Sequence, residues 1–182
     1  MTAEAKRERP DVREAAVLVP LFRDDDGDLR IVLIRRVERG VHGGQLAFPG
    51  GVVEEGDNSK LATALRETEE EIGLAADAVE ILEHLPVVET LSSGYRITPF
   101  LARIVRPLSW TRQQDEVAEV LEVRVADLAR PEAHGEGVES FPAWPAPRRI
   151  GFYRVGARRL WGATYRILHP LLPRLVAEDR SP

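Results

Sequence analysis

Cysteine is absent from all 182 residues, which excludes disulfides, thiolate nucleophiles and zinc-thiolate centres. Long apolar runs are missing as well. No stretch reaches the ~18 consecutive apolar residues of a membrane span, and the opening "MTAEAKRERPDVRE" is charged, with no apolar stretch before Ala15. Positive charge is in deficit: 25 Lys and Arg against 30 Asp and Glu leave a formal charge of −5. That balance argues against a broad, sequence-independent grip on nucleic acid. A small anionic ligand stays open, provided local cations or a metal meet it. The expectation is a cytoplasmic protein with neither membrane nor nucleic acid as partner. His84, His134 and His169 are scattered without metal-ligand spacing.

What the chain does hold is enough apolar material for one core, 43% of its residues. Residues 1–13 are expected to form a flexible tail and residues 14–182 a single domain. "AAVLVPLF" and "LRIVLIRR" flank the turn-rich "RDDDGD", a β-hairpin signal. Further strands are expected in "VEILEHLPVV", "YRITPFLARIV", "EVLEVRV" and "RRIGFYRV". The Pro- and Gly-rich "PEAHGEGVESFPAWPAP" predicts a long loop, and "LWGATYRILHPLLPRLVAE" a closing helix bent or interrupted by Pro170 and Pro173. The fold class is α/β, a sandwich on a mixed sheet.

The most informative stretch is "FPGGVVEEGDNSKLATALRETEEEIGL", Phe48 to Leu74. Its helix is expected to begin at Asn58 or Ser59, both good N-caps, and to end at Gly73. Leu61, Leu65, Thr68 and Ile72 fall on one side as a buried stripe, with Glu67, Glu70 and Glu71 opposite. Those three glutamates are spaced i, i+3, i+4, so their charges repel. They also crowd the helix C-terminus, where the macrodipole disfavours anions by ~0.3–1 kcal/mol each. A hard divalent cation, Mg²⁺ or Mn²⁺, would offset both penalties. A solvated acidic face would tolerate them. The loop before the helix, "HGGQLAFPGG", weighs toward a ligand, because glycines around Phe48-Pro49 allow close backbone approach. Gly50, Gly51 and His42 are its candidate substrate contacts.

On these residues the chain resembles the Nudix hydrolases, whose box reads G-x5-E-x7-R-E-U-x-E-E-x-G-U with U aliphatic. Arg66 to Leu74 match the second half, with Thr68 in an aliphatic slot. The interval from Gly51 to Arg66 is one residue longer than the pattern, so its isolated glutamate falls on Asp57 or Asn58. The resemblance implies a Nudix-type α/β/α sandwich that cleaves a diphosphate linked to another group with Mg²⁺ or Mn²⁺. It also implies Glu70 and Glu71 as main metal ligands, Glu67 completing the acidic face, and Arg66 orienting the carboxylates. The general base would be a box glutamate or a later acid, for which Glu116 in "QQDEVAEV" is the candidate; the alternative is a surface residue before a strand.

"GGQLAFPGG", an aspartate in the first half of the box, and the downstream "YRITPFLARI", "DEVAEVLEVRVADLARP" and "LWGATYRIL" resemble the coenzyme A pyrophosphatase-like branch. Its upstream signature is close to L-L-T-x-R-[SA]-x3-R-x3-G-x3-F-P-G-G. Here Ile31 to Arg35 replace L-L-T-x-R, Arg36 sits in the small-residue slot and Gly40 in that of the second arginine. That branch implies CoA or acyl-CoA as substrate, giving 3′,5′-ADP and a 4′-phosphopantetheine product. ADP-ribose or another nucleotide sugar, and a non-catalytic ligand-binding module, are the alternatives. Of Arg35 and Arg36, only one can face the cleft, and Arg35 matches the signature as a phosphate grip. Trp144 is the candidate adenine contact. A homodimer is compatible with this reading, the sequence leaving the oligomeric state open.

Overall fold

The computed structural model describes residues 12–40, 43–90, 94–140, 144 and 146–179. The chain opens with β1 (Arg13–Arg23) and β2 (Leu29–Arg36), then the short β3 (Leu46–Ala47) and β4 (Gly50–Val52) ahead of α1 (Lys60–Ile72). β5 (Val79–His84), β6 (Val88–Glu89), β7 (Tyr95–Ile104) and β8 (Val117–Arg124) follow, then the one-turn α2 (Val125–Leu128). β9 (His134–Glu139), β10 (Arg148–Val155), β11 (Arg158–Leu160) and α3 (Gly162–Asp179) close the fold.

The main sheet runs β3-β2-β1-β7-β5, with β4 on β1, β6 on β7 and β8 on β2. β1 and β7 are parallel and the other pairs antiparallel, so the sheet is mixed as expected. Alternation along β1 and β2 assigns the two faces. Ala16, Leu18, Phe22, Val32 and Ile34 pack with Ala64 and Ile72 of α1. Val19, Leu21, Leu29, Ile31 and Leu33 pack with Leu168, Leu171 and Leu175 of α3. The result is an α/β/α sandwich, with the sheet β11-β10-β9 set beside α3.

One edge of β1 is shared: Ala15 to Val17 pair with β4, whereas Leu21 to Arg23 pair with β2. This division inserts the "GG" strand into the sheet beneath α1, where its backbone can meet the helix.

Two sequence expectations change. The Pro- and Gly-rich segment is not all loop, because His134–Glu139 form β9, with Gly135 opposite Phe152 and Gly137 opposite Ile150. A Cβ at Gly135 would strike the Phe152 ring, so the glycine that argued for a loop makes room for an aromatic side chain. Of the bend or interruption expected in the closing helix, the interruption does not occur: α3 continues through Pro170 and Pro173, with buried Leu171, Leu172 and Leu175 anchoring the stretch where proline removes backbone donors. The expected tail, residues 1–13, overlaps the described chain only at its end, where Arg13 opens β1.

Candidate functional site

Ser59 caps α1, its side chain accepting from Ala62 N, and Gly73 ends it in the left-handed region at φ 70° with its N–H donated to Glu69 O. The last turn carries no basic residue. Between these caps the helix is rotated relative to the expected stripe. Thr63, Ala64, Thr68, Glu71 and Ile72 are buried, whereas Leu61 and Leu65 are half-buried. Glu71 therefore points inward, not opposite the core.

It does so because a donor waits there. Gly50 N donates to Glu71 Oε2 at 2.9 Å, and Arg36 Nη1 approaches Oε1 at 3.8 Å. Burial pushes the Glu71 carboxyl up to about 8, against the pull of Gly50 N–H and Arg36, and the charges of Glu67 and Glu116 push the same way. Burial also raises Glu67, opposed by Arg66 and reinforced by Glu70 and Glu116. Glu67 lies over Gly51, where a Cβ would overlap its carboxylate. Glu70 projects outward, its side chain 52% exposed, and Glu69 is exposed.

Arg66 ties the helix to the preceding loop. Its Nε and Nη2 donate to the two Asp57 oxygens at 3.0 and 3.1 Å, a bidentate pair. The same guanidinium reaches Glu67 Oε1 at 3.1 Å and Glu70 Oε2 at 3.2 Å. Asp57, with a side chain only 6% exposed, also accepts from Glu54 N and Thr63 Oγ1. The Arg66 hydrogen bond, then those from Glu54 and Thr63, hold Asp57 far below the usual carboxylate range. Of the two residues left open by the longer interval, Asp57 meets the arginine.

Glu116 is exposed and comes from the segment after β7. That segment folds under the end of α1, with Gln113 N donating to Glu71 O at 3.0 Å. Its position is why its charge is felt by both Glu67 and Glu71.

Arg35, the expected phosphate grip, is not beside Glu71. Arg35 pairs with Glu119 at 3.2 Å and Glu38 at 3.4 Å, on the side of β2 that Leu33 gives to the α3 face. Arg36 follows the parity of Ile34 and sits beside a register shift between Arg35 and Arg36, so it reaches Glu71 instead. Strand alternation could have found Arg36 once the α1 face of β2 was known. Trp144 stands by β10, with the Arg148 guanidinium 5.5 Å from its ring. His42 lies outside the described residues.

These residues fit a hard divalent cation. The donors are carboxylate oxygens, Gly51 leaves the space that a Cβ would take from Glu67, and Glu71 is ionised only at a cost that a nearby cation would offset. Glu67, Glu70 and Glu71 would hold it.

A pH dependence follows for the metal-free protein. Glu71 binds its proton more tightly folded, at about 8, than at its ordinary 4.5. Its contribution to stability is therefore full at low pH and lost as pH rises through about 8. In EDTA, the melting temperature of wild type should fall between pH 5 and 8 relative to Glu71→Gln, whose profile lacks this slope. Parallel profiles in thermal scans would show that Glu71 is not so perturbed.

The NUDIX domain family model matches residues 12–144. An "Uncharacterized Nudix hydrolase NudL" from Escherichia coli K12 is 39% identical over 123 residues, 68% of this chain and 63% of that protein. The chain thus spans less than two thirds of the length of the curated relatives it matches. Among solved structures, a MutT/nudix family protein from Enterococcus faecalis has a TM-score of 0.63 at 20% identity, covering 93% of this chain and 64% of that one. A C. elegans Ap4A hydrolase binary complex has a TM-score of 0.55 at 22% identity, covering 64% and 82%. The NUDIX domain of Shewanella oneidensis NrtR, complexed with ADP ribose, has a TM-score of 0.51 at 19% identity, covering 68% and 79%. These structures share its fold, and the match across residues 12–144 with the site built on Gly51, Asp57, Arg66 and the glutamates places the chain in the Nudix family.

Proposed function

We propose that this chain is a metal-dependent hydrolase of the diphosphate linkage in nucleoside diphosphate derivatives, acting on CoA or acyl-CoA to give 3′,5′-ADP and a 4′-phosphopantetheine product. The observation that carries the reading is the placement of Glu71 on the Gly50 N–H and of the Glu67 carboxylate over Gly51, with the charges of Glu67 and Glu116 adding to the cost of ionising Glu71. A structural ion pair holds a carboxylate charged, whereas here Gly50 N–H and the distant Arg36 do not offset the burial of Glu71, so a closer cation would. When bound, Mg²⁺ or Mn²⁺ neutralises the diphosphate oxygens that otherwise repel a nucleophile and makes water easier to deprotonate.

The chain's own residues supply the rest. Asp57 fixes the Arg66 guanidinium, which holds Glu67 and Glu70 in register for the cation. Glu116, exposed at the mouth, accepts the proton of the attacking water. Gly50 and Gly51, expected as substrate contacts, serve the glutamates: Gly50 N donates to Glu71, and Gly51 leaves room for the Glu67 carboxylate. Residues 14–182 act as one domain, α3 sharing the core of the sheet, in the cytoplasm, on a small nucleotide substrate, with a homodimer as the assembly to test by sedimentation.

CoA is favoured by the resemblance of "GGQLAFPGG" and the downstream segments to the CoA-cleaving branch, together with the aspartate at 57 that pairs with Arg66. ADP-ribose is the second reading, favoured by the altered upstream signature around Arg36 and Gly40 and by the ADP ribose bound to the NrtR domain. Hydrolysis of CoA, dephospho-CoA and ADP-ribose with Mg²⁺ or Mn²⁺ separates them. CoA should have the highest kcat/KM, with dephospho-CoA poorer for lack of the 3′-phosphate. Preference for ADP-ribose over both would replace CoA as substrate, and no cleavage of any diphosphate would support a ligand-binding module.

A further inference from the structure

We propose that Arg36 is the cation resident beside Glu71 in the metal-free protein and passes from that carboxyl group to the substrate's phosphate when a divalent cation takes the carboxylate. The inference rests on the metal-dependent reading above and adds a residue to it.

The two oxygens of Glu71 are held differently. Oε2 accepts from Gly50 N at 2.9 Å, a full hydrogen bond from rigid backbone. Oε1 faces Arg36 Nη1 at 3.8 Å, an ionic approach too long for a hydrogen bond. The backbone fixes one oxygen, and the other is kept by a looser and replaceable charge. Arg36 itself has a well-anchored base and an open head. Arg36 N donates to Gln45 O and Gly44 N to Arg36 O, so the end of β2 is pinned to the glycine loop. The side chain remains 38% exposed, against 2% for that of Glu71.

Two cationic groups cannot share Glu71 without repulsion. Without nucleotide, Arg36 therefore opposes metal loading. A diphosphate reverses that sign, because its oxygens accept from the guanidinium and from the cation together. Metal and nucleotide then tighten each other's binding, and Arg36 carries part of that coupling.

The test is Mn²⁺ titration by calorimetry and electron paramagnetic resonance, with and without α,β-methylene-ADP, on wild type, Arg36→Gln and Arg36→Lys. Circular dichroism establishes that each is folded; Arg36→Met, which also removes the charge, replaces Arg36→Gln should that variant fail to fold, and Arg36→Lys is the charge-retaining control. Without nucleotide, Arg36→Gln should bind Mn²⁺ about tenfold more tightly than wild type, and Arg36→Lys close to wild type. The factor by which the nucleotide tightens Mn²⁺ binding should shrink about tenfold in Arg36→Gln. Unchanged Mn²⁺ affinity and coupling in Arg36→Gln would overturn the role of Arg36 and leave the metal site standing. No Mn²⁺ binding to wild type would overturn both.

Discussion

Replacing Glu71 by glutamine is expected to cut turnover at least about a hundredfold, since even partners that merely orient metal ligands cost 10–100-fold when lost. The metal-free protein should at the same time become more stable at pH 8. The two effects have one cause. Glu71 is buried and feels the charges of Glu67 and Glu116, so its negative charge is costly without a cation and, in the proposed reaction, required with one. Glutamine keeps an oxygen for the Gly50 N–H bond and removes the charge. Glu70→Gln should lose turnover by orders of magnitude with little change in stability, because that side chain is half exposed and offset by Arg66. Steady-state kinetics and thermal scans on the same preparations check both. Wild-type turnover in both variants would reduce the cluster to a solvated acidic face.

The second large effect separates two adjacent glycines. Gly50 has φ 143°, and a Cβ there would strike the backbone of Ala16 and Val17, neither of which can yield without parting β1 from β4. Gly50→Ala should therefore destabilise the fold by about 3 kcal/mol, combining backbone strain and overpacking. At Gly51 the obstacle is the carboxylate end of the Glu67 side chain, which can swing away. Gly51→Ala should fold with near-normal stability yet lose metal affinity and turnover, because Glu67 no longer rests against the strand. Urea denaturation and Mn²⁺ titration distinguish the two; equal loss of stability in both variants would contradict the assignment of Gly51 to the site.

Much of this was legible in the sequence because local chemistry and global packing agree. The turn-rich "RDDDGD" does join β1 to β2, and Ser59 and Gly73 do bound α1. β10 spans the whole of "RRIGFYRV". What escaped depends on partners distant in sequence. Glu71 reads as solvent-facing on a helical wheel, and only the Gly50 N–H, delivered by a strand inserted beside β1, explains its burial. Arg35 and Arg36 cannot be assigned to faces without knowing which side of β2 packs on α1. β9 was hidden because glycines that usually break structure here accommodate the Phe152 ring. Asp57 and Asn58 were indistinguishable by spacing, and the Arg66 fork distinguishes them.

The central claim, that the α1 glutamates hold a divalent cation, is tested most directly by calorimetric titration of Mn²⁺ into wild type and into the Glu67→Gln/Glu70→Gln/Glu71→Gln triple variant, with α,β-methylene-ADP present. Saturable binding to wild type that the triple variant loses while remaining folded is the result expected. Equal binding to both proteins, or none to wild type, would contradict it.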